Sequence, residues 1–163
     1  MLRRRHLLSA VCLLAPVLGA HTVPTITVEA EFGADRAYIL RVNLDPRLLL
    51  SEQPATLPPV PAAWWFDQNE NARADSLAAA AAFVERTVRF QAGDSRLEGG
   101  WKVVAVDSAS AFPLGPNSAE THLLAEERGS LPDAAGEFKV TLDERAAVGL
   151  ILLNSVEGKP ERY

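Results

Sequence analysis

Two histidines and one run of alternating acidic and amide residues are the groups in this sequence with ligand chemistry. His21 stands in "VLGAHTVP" (17–24). Cleavage after Ala20 would make it the first residue, and an N-terminal histidine chelates a metal through its amine and a ring nitrogen. His122 lies in "AETHLLAE" and is the only other histidine that such cleavage leaves. On an extended chain, Glu120 and Glu126 share its face. Nitrogen donors of these kinds suit copper, nickel or zinc. The sequence therefore offers one two-histidine copper or nickel site, at His21 and His122. The competing expectation is a frayed terminus at His21 and an ordinary surface histidine, paired with a glutamate, at His122.

The second constellation is "FDQNENARADS" (66–76), where Asp67, Asn69, Asn71 and Asp75 occupy positions 1, 3, 5 and 9 of a calcium-binding loop. The pattern then fails twice. Ala72 replaces the glycine of the sharp turn, and Ala78 replaces the bidentate acid that completes the ligand shell. A polar turn with Asp75 capping a helix is the reading that remains. Nucleophilic catalysis has no comparable support, since no G-x-S-x-G elbow occurs. Acidic pairs such as Glu126-Glu127 and Asp143-Glu144 read as solvated strand ends, and no enzyme activity is expected. Trp64-Trp65-Phe66 offers either an aromatic platform or a plug for the core, and the proline-rich context favours the plug.

These groups sit in a chain whose first twenty residues have the form of a leader. "MLRRRH" is basic, "LLSAVCLLAPVL" is apolar, and Leu18-Gly19-Ala20 is a small-residue cleavage site. Ser9 to Cys12 imitates a lipoprotein box, but Val11 is too bulky. Arg4-Arg5 imitates a twin-arginine signal, but Arg3 stands where Ser or Thr belongs. The expectation is ordinary export, a cleaved signal peptide at 1–20, and one periplasmic or secreted domain at 21–163. Without the leader, 13 Lys and Arg face 21 Asp and Glu, a balance of −8. That excess disfavours nucleic acid and anionic membrane surfaces as partners. Cys12 leaves with the leader, which excludes thiol catalysis, zinc–thiolate sites and disulfides from the processed chain.

Period-two alternation predicts the elements. "TITVEAEF" and "AYILRVNL", joined by a turn at Gly33-Ala34-Asp35, read as an antiparallel hairpin with one wet face. "TVRFQ", "WKVVAV", "ETHLLAEE" and "EFKVTL" continue the pattern. "AVGLILLNSV" (147–156) is apolar on both faces, which predicts a central, fully covered strand. Four prolines in 51–65 predict a long crossover. "DSLAAAAAFVERTV" predicts one helix near 76–86 with Asp75 at its N-cap. The fold class is mainly β: an antiparallel β-sandwich, Ig-like or related, of about seven strands with one crossover α-helix.

Three segments together carry a resemblance: the leader ending Ala-His before "TVEAEF", the strand "ILRVNLDPR", and the alanine-rich helix running into "VRFQAGDSRLEG". In these the chain resembles the extracytoplasmic N-terminal domain of bacterial membrane proteins of the HupE/UreJ (hydrogenase/urease accessory) type, over about its first hundred residues. In that family membrane helices follow the domain, and some members are linked to nickel transport. No such helices occur here, so the resemblance implies an exported accessory domain and carries no transport function. Little sequence follows 147–156. Either the domain closes on itself there, or the chain is shorter than its relatives. That strand is the expected contact with another protein chain or a membrane-protein partner, by β-augmentation or dimerisation.

Overall fold

The computed structural model describes residues 23–133, 136–146 and 148–160. The expected leader, its cleavage point and His21 lie outside them. Alternation builds the centre of the fold as the sequence predicts. Strand β1 (Thr25–Phe32) buries Ile26, Val28 and Ala30, and β2 (Ala37–Leu44) buries Tyr38, Leu40, Val42 and Leu44. The two pair antiparallel, with Val28 opposite Val42 and Ala30 opposite Leu40. Each fully buried Val, Leu or Ile contributes roughly 1.5–3 kcal/mol, which makes this hairpin the anchor of the core. Its turn places Arg36 at φ 67°, and Asp35 Oδ1 accepts from the Ala37 amide to hold it.

A crossover follows, with helix α1 (Arg47–Leu50), a 3-10 turn at 54–56 and helix α2 (Ala62–Phe66). Helix α3 then runs Glu70–Thr87, eighteen residues, beginning six residues before the predicted start. The cap is Asn69, whose side chain accepts from the Ala72 amide at 2.9 Å, and Glu70 adds an acid to the first turn. Asp75 lies inside the helix and caps nothing. Asn69 is as competent a cap as Asp75, and Ala72 and Ala74 between them carry the helix back to it. α3 buries Ala80, Val84 and Thr87, with Leu77 and Phe83 partly buried beside them.

The remaining strands are β3 (Val88–Ala92), β4 (Ser95–Leu97), β5 (Lys102–Asp107), β6 (Thr121–Ser130), β7 (Phe138–Leu142), β8 (Gly149–Val156) and β9 (Lys159–Pro160). One sheet has the order β5-β6-β2-β1-β8-β9 and the other β4-β3-β7. α3 packs on β5 and β6. The smaller sheet meets the larger through aromatic rings, with Phe32 edge-on to Phe138 at 4.9 Å and Phe90 beside Trp101 at 5.7 Å. The protein is thus mainly β and sandwich-like, with α3 and the three-stranded sheet together forming the second layer. No helix among the described residues is long and apolar enough to cross a membrane.

Two details of the predicted sheet change. The described residues hold nine strands, because short β4 and β9 carry too little pattern to read. β8 pairs with β1 in parallel, Val28 opposite Leu152, where an antiparallel neighbour was expected.

Candidate functional site

The last long strand carries the largest departure from expectation. β8 is not covered: Leu150, Ile151, Leu152 and Leu153 are 37%, 49%, 41% and 51% exposed. Among the described residues its neighbours are β1 on one side and the two-residue β9 on the other, which reaches Ser155 and Val156. Apolarity on both faces fits a covered strand equally well, and only topology shows that the cover stops short.

The outer face of the large sheet sharpens the contrast. One row across it runs Glu29, Arg41, Glu126, Lys102, alternating in sign over β1, β2, β6 and β5. Arg41 Nε donates to Glu126 Oε2 at 2.9 Å and its Nη1 to Glu31 Oε1 at 2.9 Å. Arg128 Nε donates to the other Glu126 oxygen at 2.8 Å. These arginines, Arg128 foremost, hold the Glu126 carboxyl below its ordinary range. On β8 the row ends at Leu153, opposite Glu29, and the next outward residue, Ile151, lies opposite Thr27. A face built for water on four strands turns apolar on the fifth.

His122 lies on that same outer face, half-buried beside Val106 of β5. Its Nδ1 is 2.7 Å from Asn43 Oδ1. An amide oxygen only accepts, so Nδ1–H donates and Nε2 keeps its lone pair. Burial lowers the imidazole pKa, against the pull of Asp45 and Glu120. Neither flanking carboxylate turns to it. Glu126 is engaged by Arg41 and Arg128, while Glu120 accepts from the Ser108 hydroxyl at 3.3 Å. His21, the expected second ligand, lies outside the described residues.

The calcium-like spacing falls on helical backbone. Asp67 ends α2, Asn69 caps α3, and Asn71 and Asp75 sit four apart within α3, so no ligand loop closes around a centre. Among the described residues no group of three or more His, Cys, Asp and Glu is placed to hold a metal ion. Trp64 and Trp65 are half-buried in α2, and Trp65 packs on the core with the Arg73 guanidinium 5.7 Å over its ring. Trp65 is the plug expected of this segment, whereas Trp64 leans on Trp65 and Phe66 is 43% exposed.

Two buried polar pairs escaped the sequence reading. Asp45 Oδ2 accepts from Arg47 Nη2 at 2.6 Å and from Nε at 2.8 Å, while Arg47 Nη1 donates to the Leu57 carbonyl. The Tyr38 hydroxyl donates to Glu127 Oε1 at 2.9 Å. Glu127 falls on the buried row of β6 with Thr121, Leu123 and Ala125, so period-two parity alone would have found it. Both pairs are internally satisfied, which marks them as structural.

Compared with protein-family models, with curated proteins and with solved structures, the chain finds no significant match.

Proposed function

We propose that this chain is an exported accessory domain without catalytic activity, which works by binding another polypeptide along β8. The single observation that carries the reading is the strand itself: uncharged, apolar on both faces, exposed on both, and, among the described residues, with no strand beside Leu150 to Leu153 on its outer edge. Soluble proteins blunt such edges with Lys, Pro or a bulge, and residues 149–154 carry no Lys or Pro. An added strand would supply backbone partners and cover the leucines in one step. The resemblance to the HupE/UreJ-type extracytoplasmic domain supports the same assignment, to an accessory of a membrane or cell-surface assembly in the periplasm or outside the cell. The test is hydrogen exchange at the Leu150 and Leu152 amides, in the purified protein and in the envelope of the producing cell. Slow exchange in the envelope is expected. Equal, rapid exchange in both would overturn the reading.

A copper- or nickel-binding protein is the second reading, favoured by one observation at His122. Its Nδ1 is held by Asn43, the arrangement that presents the opposite ring nitrogen to a metal. Thr27 pairs with Asn43 and Asn43 with Leu124, so β1 begins at the same end of the sheet as His122, two strands away. Intact mass of the exported protein, with and without chelator, tests both the Ala20 cleavage and a bound metal. Unchanged metal affinity in His122→Ala would remove this second reading.

A further inference from the structure

We infer that the occupant of the β8 edge is a second copy of this chain, paired antiparallel about a two-fold axis through Ile151; this rests on the binding role proposed for that edge. Backbone parity sets the first constraint. The Gly149 amide donates to Pro24 and the Glu157 amide to Phe32, so alternate residues from 149 to 157 face β1. The N–H and C=O groups of Leu150 and Leu152 therefore point away from β1, to the outer edge. A two-fold pairing must set edge-facing residues opposite one another, which restricts its centre to a residue position.

The ends of the strand select which residue. Centred on Ile151, Leu150 lies opposite Leu152 of the other copy, and each such pair exchanges two hydrogen bonds. Gly149 then meets Leu153, and both copies of β8 stay clear of β9. Centred on Leu152, Gly149 would fall opposite Ser155, where Pro160 already sits. The Ile151 register puts Leu150 and Leu152 of both copies on one face, and the two Ile151 side chains together on the other.

Charge selects the kind of occupant. The chain has 21 acidic against 16 basic residues, and copies of it repel over most of their surface. Residues 148–156 contain none of those charges. This is a surface on which two identical acidic chains can approach at a low electrostatic cost. A lipid surface does not substitute, because hydrocarbon leaves the edge N–H and C=O groups without partners.

Three measurements on the purified chain, with Cys12→Ser as background, test the inference. Light scattering should give twice the monomer mass, and Ile151→Lys should return the monomer with an unchanged circular dichroism spectrum. Ile151→Cys should oxidise to a covalent dimer, since directly opposed Cβ atoms lie about 4.5–5.5 Å apart. Leu153→Cys should not, because its own copy sits four residues away, about 14 Å along the strand. Cross-linking at 153 and not at 151 overturns the register. A monomer whose Leu150 and Leu152 amides exchange rapidly overturns the second copy and leaves the edge available to a different chain. A monomer with those amides protected overturns both, because the edge is then covered from within.

Discussion

Tyr38 and Glu127 meet inside the sandwich from adjacent strands, the phenol donating to the carboxylate at 2.9 Å with both side chains buried. Burial first, then the hydrogen bond and charge of Glu127, raise the Tyr38 hydroxyl to about 12. The folded state therefore favours the neutral phenol. Its contribution is complete below pH 10, the ordinary tyrosine value, and is lost as pH rises from 10 through about 12. Urea midpoints should fall between pH 9 and pH 11 in the native sequence and fall less in Tyr38→Phe. At neutral pH the Phe variant should cost about 1–3 kcal/mol, because Glu127 stays buried without that donor.

The same carboxylate explains why residue 99 is glycine. A Cβ built there would lie 1.8 Å from Glu127 Oε1, whereas one at Gly100 would meet nothing within 4 Å. Gly99→Ala must push the Glu127 carboxylate off the Tyr38 hydroxyl or shift the loop, and is expected to cost about 1–3 kcal/mol. Gly100→Ala, on the neighbouring position, should stay within about 0.5 kcal/mol. Equal stabilities for the two variants in urea denaturation would show that Glu127 is not held as described.

How much of this was legible without coordinates follows from what each pattern encodes. Period-two alternation reports which side of a strand is dry, so the β1–β2 hairpin and the inward Phe138, Val140 and Leu142 could be read directly. It does not report strand order. β8 reads as a covered strand because nothing local reveals whether a second layer reaches it, and its parallel pairing with β1 joins segments over a hundred residues apart. The helix start was missed for another reason, since Asn69 and Asp75 are both competent caps and only the backbone decides between them. At the candidate site, the charge-free run could be read from the residues, whereas the free edge is a property of topology.

His122 makes stability sensitive to mild acid. Its folded pKa lies below the ordinary 6.5 because burial opposes the imidazolium. A depressed value contributes stability above pH 6.5 and loses it as pH falls, since the unfolded chain takes up the proton first. The urea midpoint should drop between pH 7.5 and 5.5, and His122→Gln should drop less over the same interval. The Glu126 carboxylate, lowered by Arg128 and Arg41, is lost only at more acid pH, below its ordinary 4.5. The two contributions therefore separate along the titration.

The cap of α3 gives a direct comparison of the two residues that compete for it. Asn69 accepts from the Ala72 amide, so Asn69→Ala should cost about 0.5–2 kcal/mol. Asp75 is exposed in the helix interior, and Asp75→Ala should change stability by no more than about 0.5 kcal/mol. The reverse order, measured by thermal or urea unfolding, would place the helix start at 76.

The Asp45–Arg47 pair is the least tolerant polar contact in the crossover. Their side chains are only 9% and 7% exposed, and the guanidinium also donates to Leu57, tying the entry of α1 to the turn that follows it. Removing one partner leaves a buried charge without compensation, so Asp45→Ala should cost about 3–5 kcal/mol. The pair itself need not stabilise the fold by that amount, because both ions were desolvated to form it. Asp45→Ala combined with Arg47→Met should therefore be less destabilising than Asp45→Ala alone, with a coupling above about 0.5 kcal/mol in a double-mutant cycle. Additive costs would mean that Arg47 acts through Leu57 alone, and that Asp45 serves only the Arg47 amide to which it also bonds.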